Sequence, residues 1–274
     1  MIDSIHFSNA LTERFGLAVI AATQQVPEGH KIVIRPVDVE HTISFQVELI
    51  LGWRTISAVF NPANFASALV KSMNAATLEQ KSAFAVFASS LTSKGARVDL
   101  VLGQASVDAT TPESWPEDWP KITIGMKKVG VVIEKKSGYD FAAAFPWATG
   151  FFGMTLALLP LVKIPDEELS GSLEGSHYFS QVKRYERSRI NRAACIEING
   201  TSCNICGFSF GDVFGVLGEG FIHVHHIVPV SEMDGSYILN PGTDLIPVCP
   251  NCHAMLHRKQ SVLPPNELKK ILRI

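Results

Sequence analysis

Two cysteine pairs near the end of this 274-residue chain carry the first chemical signal, Cys203-x-x-Cys206 and Cys249-x-x-Cys252. In each pair a tight turn presents two sulfurs to one side, which suits a tetrahedral zinc–thiolate site. Disulfides are the poorer reading in a reducing compartment. Cys195 is left over and reads as an ordinary buried thiol on the preceding helix. Histidines carry the second signal. The run Phe221-Ile-His-Val-His-His-Ile-Val-Pro229 lies between the cysteine pairs, and His253 follows Cys252 directly. His253 and His257 stand four apart, so on a helix they share a face and can reach one metal. His225 and His226 would point to opposite faces of a regular strand. Both serve one site only if the backbone bends there, as a bulge allows.

These residues resemble a known family. Cys-x-x-Cys-Gly, His-His-Ile-Val-Pro and Asp-Leu-Ile-Pro-Val-Cys-Pro-Asn-Cys-His-Ala-Met-Leu-His are similar to an HNH endonuclease with the ββα-metal fold. The upstream run Arg187-Ser-Arg-Ile-Asn-Arg-Ala-Ala-Cys195 strengthens the match. The version is similar to the C-terminal nuclease of McrA-like, modification-dependent (type IV) restriction enzymes, over about residues 178–260. The resemblance implies a division of labour. His226 matches the general base that takes a proton from the attacking water, a task a neutral imidazole suits near pH 7. His225 and His253 match ligands of a catalytic divalent cation, Mg2+, Mn2+ or similar. His257 matches a further ligand, as in the colicin-type nucleases. Cys203, Cys206, Cys249 and Cys252 are expected to hold structural Zn2+. The Asn of the motif name falls on Asp244, which can orient an imidazole or hold its loop by hydrogen bonds.

Net charge is −2, so the whole chain does not advertise a polyanion partner. A local cluster does. Lys183, Arg184, Arg187, Arg189 and Arg192 crowd one expected helix over 177–198 and are candidates for DNA phosphate contacts; a merely solvated face is the alternative. Trp115 and Trp119 either stack on a flipped base or pin a turn onto the core.

The elements that must position this chemistry form an α+β chain. The N-terminal domain, 1–164, is expected to combine an antiparallel or mixed sheet with helices. Strands are predicted at 31–37, 42–60, 97–102 and 121–132. In 42–51, Ile43, Phe45, Val47, Leu49 and Leu51 alternate with more polar neighbours, and Gly52 reads as a bulge or bend within one long strand. Asn61-Pro62 is expected to open a helix over 63–73 that buries Phe65, Leu69 and Met73. Thr77 with Gln80 has the spacing of a capping box for a second helix, which buries Phe84, Phe87 and Leu91 and stops at Gly95. The acidic, Gly/Ser-rich stretch 165–176 reads as a linker. The C-terminal domain, 177–274, is expected as the zinc-stabilised ββα-metal, treble-clef-like HNH domain.

Residues 141–162 carry no formal charge. They are long enough to span a bilayer, but they contain Pro146, Gly150, Gly153 and Pro160. A buried helix, or a helix pair broken near Pro146, is the expectation, with no membrane partner. The start of the chain lacks a secretory pattern, so a cytoplasmic location is expected. An apolar segment of this size needs cover on both faces. Together with the one-strand chemistry of a single HNH site, it points to a homodimer.

The expected function is a metal-dependent DNA endonuclease. It restricts foreign, base-modified DNA as a phage-defence enzyme, with the N-terminal domain as reader. A defence nuclease gated by a small ligand or partner protein is the first alternative. A non-catalytic zinc DNA-binding module is the second.

Overall fold

The computed structural model describes residues 2–37, 44–64, 66–131, 141–159, 187–228, 237–259 and 261–273. They divide into two compact units, Met1–Ile190 and Asn191–Ile274. The expected linker 165–176 lies outside the described residues, as do Lys183 and Arg184.

The first unit opens with helix α1 (Ser4–Phe15). The Asp3 carboxylate caps it by accepting from the Ile5 and His6 amides, and Gly16 closes it in the left-handed conformation. Phe7, Leu11 and Phe15, four apart, form its buried face. Four strands follow as consecutive antiparallel hairpins: β1 (Val19–Val26), β2 (Gly29–Pro36), β3 (Phe45–Gly52) and β4 (Thr55–Pro62). The alternation expected along β3 is present, with Phe45, Val47, Leu49 and Leu51 buried; Ile43 lies outside the described residues. The single long strand over 42–60 is corrected to a hairpin. Leu51 pairs with Ile56, and the chain reverses through Trp53 and Arg54. Asn61 and Pro62 are also corrected. They pair with Gln46 and Phe45 as the end of β4. A proline is tolerated at such a strand end, where its missing N–H breaks no ladder.

Helix α2 (Ser67–Asn74) therefore starts later than expected, though it still buries Leu69 and Met73. Helix α3 (Leu78–Ser93) has the expected capping box. The Thr77 hydroxyl accepts from the Gln80 amide, and the Gln80 side chain accepts from the Thr77 amide. Strands β5 (Arg97–Leu102), β6 (Ala105–Val107) and β7 (Ile122–Val129) complete a seven-stranded, wholly antiparallel sheet of order β1-β2-β3-β4-β7-β5-β6.

The uncharged segment forms one helix, α4 (Phe141–Ala157), which runs through Pro146. From Ala148 to Leu159 every residue is buried. Phe152 packs edge-on to Phe15 and tilted against Phe45 of the sheet, and Phe7 packs edge-on to Phe145. The Gln80 amide nitrogen donates to the carbonyls of Ala157 and Leu159, two of the groups a helix end leaves unpaired. The cover this segment needs thus comes from its own domain. Its apolarity gives no reason for a second copy of the chain, so that ground for a homodimer is withdrawn. Among the described residues no helix is long and apolar enough to cross a membrane. Trp115 and Trp119 are core residues. The Trp115 indole donates to the Asp108 carbonyl at 2.8 Å and meets Phe84 edge-on, and Trp119 is 2% exposed, so neither offers a face to a base.

Helix α5 (Arg187–Asn199), whose residues from Asn191 onward belong to the second unit, ends at Gly200, which takes a positive φ. A short helix α6 (Phe210–Phe214) follows the first cysteine pair. An antiparallel ribbon of β8 (His223–His226) and β9 (Leu245–Val248) leads directly into helix α7 (Pro250–Leu256), and α8 (Pro265–Leu272) closes the chain. Ile196, Ile205, Ile222, Val248, Leu256 and Leu268 pack with three of the four paired cysteines in one small core.

Candidate active site and metal centres

The first cysteine pair sits on a turn closed by backbone bonds. Gly207 N donates to Cys203 O at 2.8 Å and Cys203 N to Phe208 O at 2.9 Å. Gly207 has φ +75°, the left-handed region that a glycine enters without a Cβ clash. Asn204 N donates to Pro247 O, which ties this turn to β9. The second pair begins as the N-cap of α7. The Cys249 sulfur accepts from the Cys252 amide, and Pro250 takes the first helical position. The four sulfurs lie within 4.8 Å of one another. Cys206 Sγ and Cys249 Sγ are 3.7 Å apart. Zinc–sulfur bonds of about 2.3 Å in a tetrahedron put sulfurs about 3.8 Å apart, so the cluster fits a zinc site. The four sulfurs suit a cation only as thiolates, and their surroundings bias that state differently. Burial raises Cys206, and burial together with the neighbouring Cys249 and Cys206 thiols raises Cys252. At Cys203 burial also pushes upward, but the Cys206, Cys249 and Ile205 amides together outweigh it and bring the thiol down to about 7. Four thiolates at this spacing repel one another unless a divalent ion lies between them.

The histidines gather between β8 and α7. His225, His253 and His257 each offer a ring nitrogen, and these atoms lie within 4.8 Å of one another. His257 Nε2 stands 3.2 Å from His225 Nδ1. Nitrogens bound at about 2.0–2.1 Å to one tetrahedral ion stand about 3.3 Å apart. His253 lies in the last turn of α7, and His257 is its C-cap, still bonded N–H to O=C with His253 at 3.2 Å. His225 is 2% exposed, and its Nε2 is buried with no hydrogen-bond partner. Burial first, then the neighbouring His253, His257 and His226, lowers its pKa to about 4. Burial, His257 and His223 lower His253 likewise. His225 is therefore neutral at pH 7, the state in which imidazole ligates a metal.

Residues 203–259 match the family model of the HNH endonuclease. The C-terminal unit carries an HNH domain. No curated protein matches the chain, and no solved structure does. The ββα order of β8, β9 and α7 is the frame expected of that domain, and the cysteine cluster lies beside it. HNH domains use a metal ion, and the imidazole trio is a donor set that fits one.

The remaining site residues fall in different places. β8 pairs one-to-one with β9, His225 with Ile246 and His226 with Leu245, and Ile227 N donates to Asp244 O at 2.9 Å. The expected bend is not found. His225 turns inward, while half-buried His226, the last residue of the strand, leaves by the other face. Asp244 holds its loop. Its carboxylate accepts from the Asn240 amide at 2.8 Å and the Thr243 hydroxyl at 2.9 Å within the HNH domain. On α5, Arg192 donates to the Ile222 carbonyl at 2.7 Å, which fixes the chain just before β8. That partner gives Arg192 a structural role that the phosphate expectation did not include. Arg189 is half-buried, and Arg187 opens the helix. Cys195 is fully buried, and burial raises its thiol to about 11. It packs with Leu239 and Leu245 away from the sulfur cluster.

His223 was not singled out in the sequence. Its Nδ1 stands 3.3 Å from His253 Nδ1. The signal was present: His223 and His225 are two apart, so on a strand they share a face.

Proposed function

We propose that this chain is a metal-dependent DNA endonuclease that hydrolyses phosphodiester bonds in its HNH domain. The observation that carries the reading is the trio His225, His253 and His257, converging from strand and helix beside a sulfur cluster of zinc geometry. In this account Cys203, Cys206, Cys249 and Cys252 hold structural zinc and fix α7 against the ribbon. The three imidazoles hold a divalent cation. When bound, that cation supplies positive charge against the phosphate oxygens and the departing 3′ oxygen. With no bend in β8, His226 stands on the face opposite His225, and it reaches the same phosphate only around the strand end, where the ladder stops at His226. Its neutral ring takes the proton of the attacking water as the new P–O bond forms and the bond to the 3′ oxygen breaks. Asp244 acts through the loop rather than on the proton. Arg187 and Arg189 are the candidates on α5 for backbone phosphate contact.

The N-terminal unit is proposed as the reader that delivers DNA to this site, with restriction of foreign, base-modified DNA as the outcome. The support is the likeness of the HNH sequence to modification-dependent enzymes, in which a separate domain reads the base. The test uses the full chain on supercoiled plasmid, plain or carrying modified cytosine, with added Mg2+ or Mn2+ or with chelator. Cation-dependent nicking supports the nuclease, and faster cutting of modified plasmid supports the reader. Equal rates on both plasmids remove the reader reading and leave the nuclease standing.

A further inference from the structure

The strand and the helix meet through two matched histidine pairs. Positions two apart on a strand are about 6.8 Å apart, and positions four apart on a helix rise about 6 Å. The near match lets His223 and His225 of β8 face His253 of α7 and His257 at its C-cap in register. His225 meets His257 at 3.2 Å, and His223 meets His253 at 3.3 Å. The two contacts differ in kind. His225 and His257 belong to the trio whose nitrogens lie within 4.8 Å of one another, and His223 is outside that set. Two ligands of one ion at about 2.1 Å cannot be more than about 4.2 Å apart. His223 therefore touches the site only through His253.

We propose that His223 is the positioning residue of the cation site: its Nδ1 accepts the hydrogen on His253 Nδ1, which leaves the His253 Nε2 lone pair for the metal. A ligating imidazole generally gives its other N–H to a neighbour that fixes its tautomer and tilt, and removing that neighbour weakens metal binding. Commonly the neighbour is a carboxylate or a carbonyl. An imidazole there adds no negative charge, so it orients His253 without repelling the phosphate that must approach. Phe221 lies 6.1 Å from His223, ring centre to ring centre. The inference rests on the reading of His225, His253 and His257 as a cation site.

The test measures cobalt(II) binding by visible absorption in the full chain, with zinc kept in the cysteine cluster. His223→Ala is expected to weaken cobalt binding about 10–100-fold while the spectrum at saturation stays as in the wild type, because the ligands are unchanged. His223→Asn, whose amide oxygen can stand where Nδ1 stands, is expected to recover most of the loss. Unchanged affinity in His223→Ala overturns the inference. So does a saturated spectrum showing one nitrogen fewer, which would make His223 a ligand, and so does an Asn variant as weak as Ala. His257→Ala separates the two levels of the argument. If it loses cobalt while His223→Ala does not, only the positioning role falls. If the wild type binds no cobalt beyond the zinc site, the cation site falls with it.

Discussion

At the scale of single residues, His225 shows how burial selects a protonation state. Its ordinary pKa is 6.5, and burial with its histidine neighbours lowers it to about 4 in the folded chain. Below pH 6.5 the unfolded chain takes up a proton that folded His225 refuses, so the unfolded state gains. With no cation in the trio, stability should fall as pH drops from about 6.5 to about 4, and this group should add no slope above that window. Denaturant midpoints across the range check this, and His225→Ala should lose its share of the slope. Asp244 makes a different prediction. An asparagine oxygen still accepts from the Asn240 amide and its NH2 can donate to the Thr243 hydroxyl, whereas alanine keeps neither bond. Asp244→Asn should therefore cut DNA within tenfold of wild type, while Asp244→Ala should lose about 1–3 kcal/mol of stability, read from the same midpoints. The gathering of the four cysteines and of His225, His253 and His257 into two clusters was legible from the short spacings within each segment together with the likeness to the HNH motif. The geometry of His226 was not, since whether a strand bends is decided by its partner. Nor was the contact of His223, which depends on how β8 lies against α7.

At the scale of elements, local rules read well where the signal was local. The Thr77–Gln80 box, the buried spacing of α3 and the inward face of β3 all follow from residues within a few positions of one another. Gly52-Trp53-Arg54-Thr55 lacks the usual Asn-Gly or Asp-Gly of a tight hairpin, so its reversal was invisible. Asn61-Pro62 matches a helix start and a strand end equally well, and pairing with β3 decides between them. α1 and β1 were not anticipated, although Asp3 and Gly16 are ordinary cap residues. Packing adds a constraint that sequence alone does not show. A Cβ on Gly153 of α4 would come within 2.5 Å of the Phe87 ring and 3.1 Å of Phe15, both fully buried. Gly153→Ala should thus destabilise the N-terminal unit by about 1–3 kcal/mol, seen as a lower thermal midpoint with cysteine chemistry and metal content unaffected.

At the scale of the whole molecule, the two units rest on different kinds of cohesion. The first buries a seven-stranded sheet under aromatic-rich helices. The second has a small core in which Cys203, Cys249 and Cys252 are themselves members, so the proposed zinc would couple metal binding to folding there. Cys249→Ser should abolish zinc content and the folding of the second unit while the first still unfolds cooperatively, as calorimetry and elemental analysis would show. DNA binding belongs to this scale too. Replacing Arg187 and Arg189 should flatten the salt dependence of binding by roughly 0.9 in log–log slope per lost phosphate contact, whereas Arg192→Ala should also loosen the start of β8. The central claim is that one imidazole works on the proton while three others hold the cation. Its most direct test is the plasmid-nicking rate of His226→Ala against wild type at saturating cation. The rate should fall about 10²–10⁴-fold, and no excess of cation should restore it. A His226→Ala protein that nicks at the wild-type rate would contradict it.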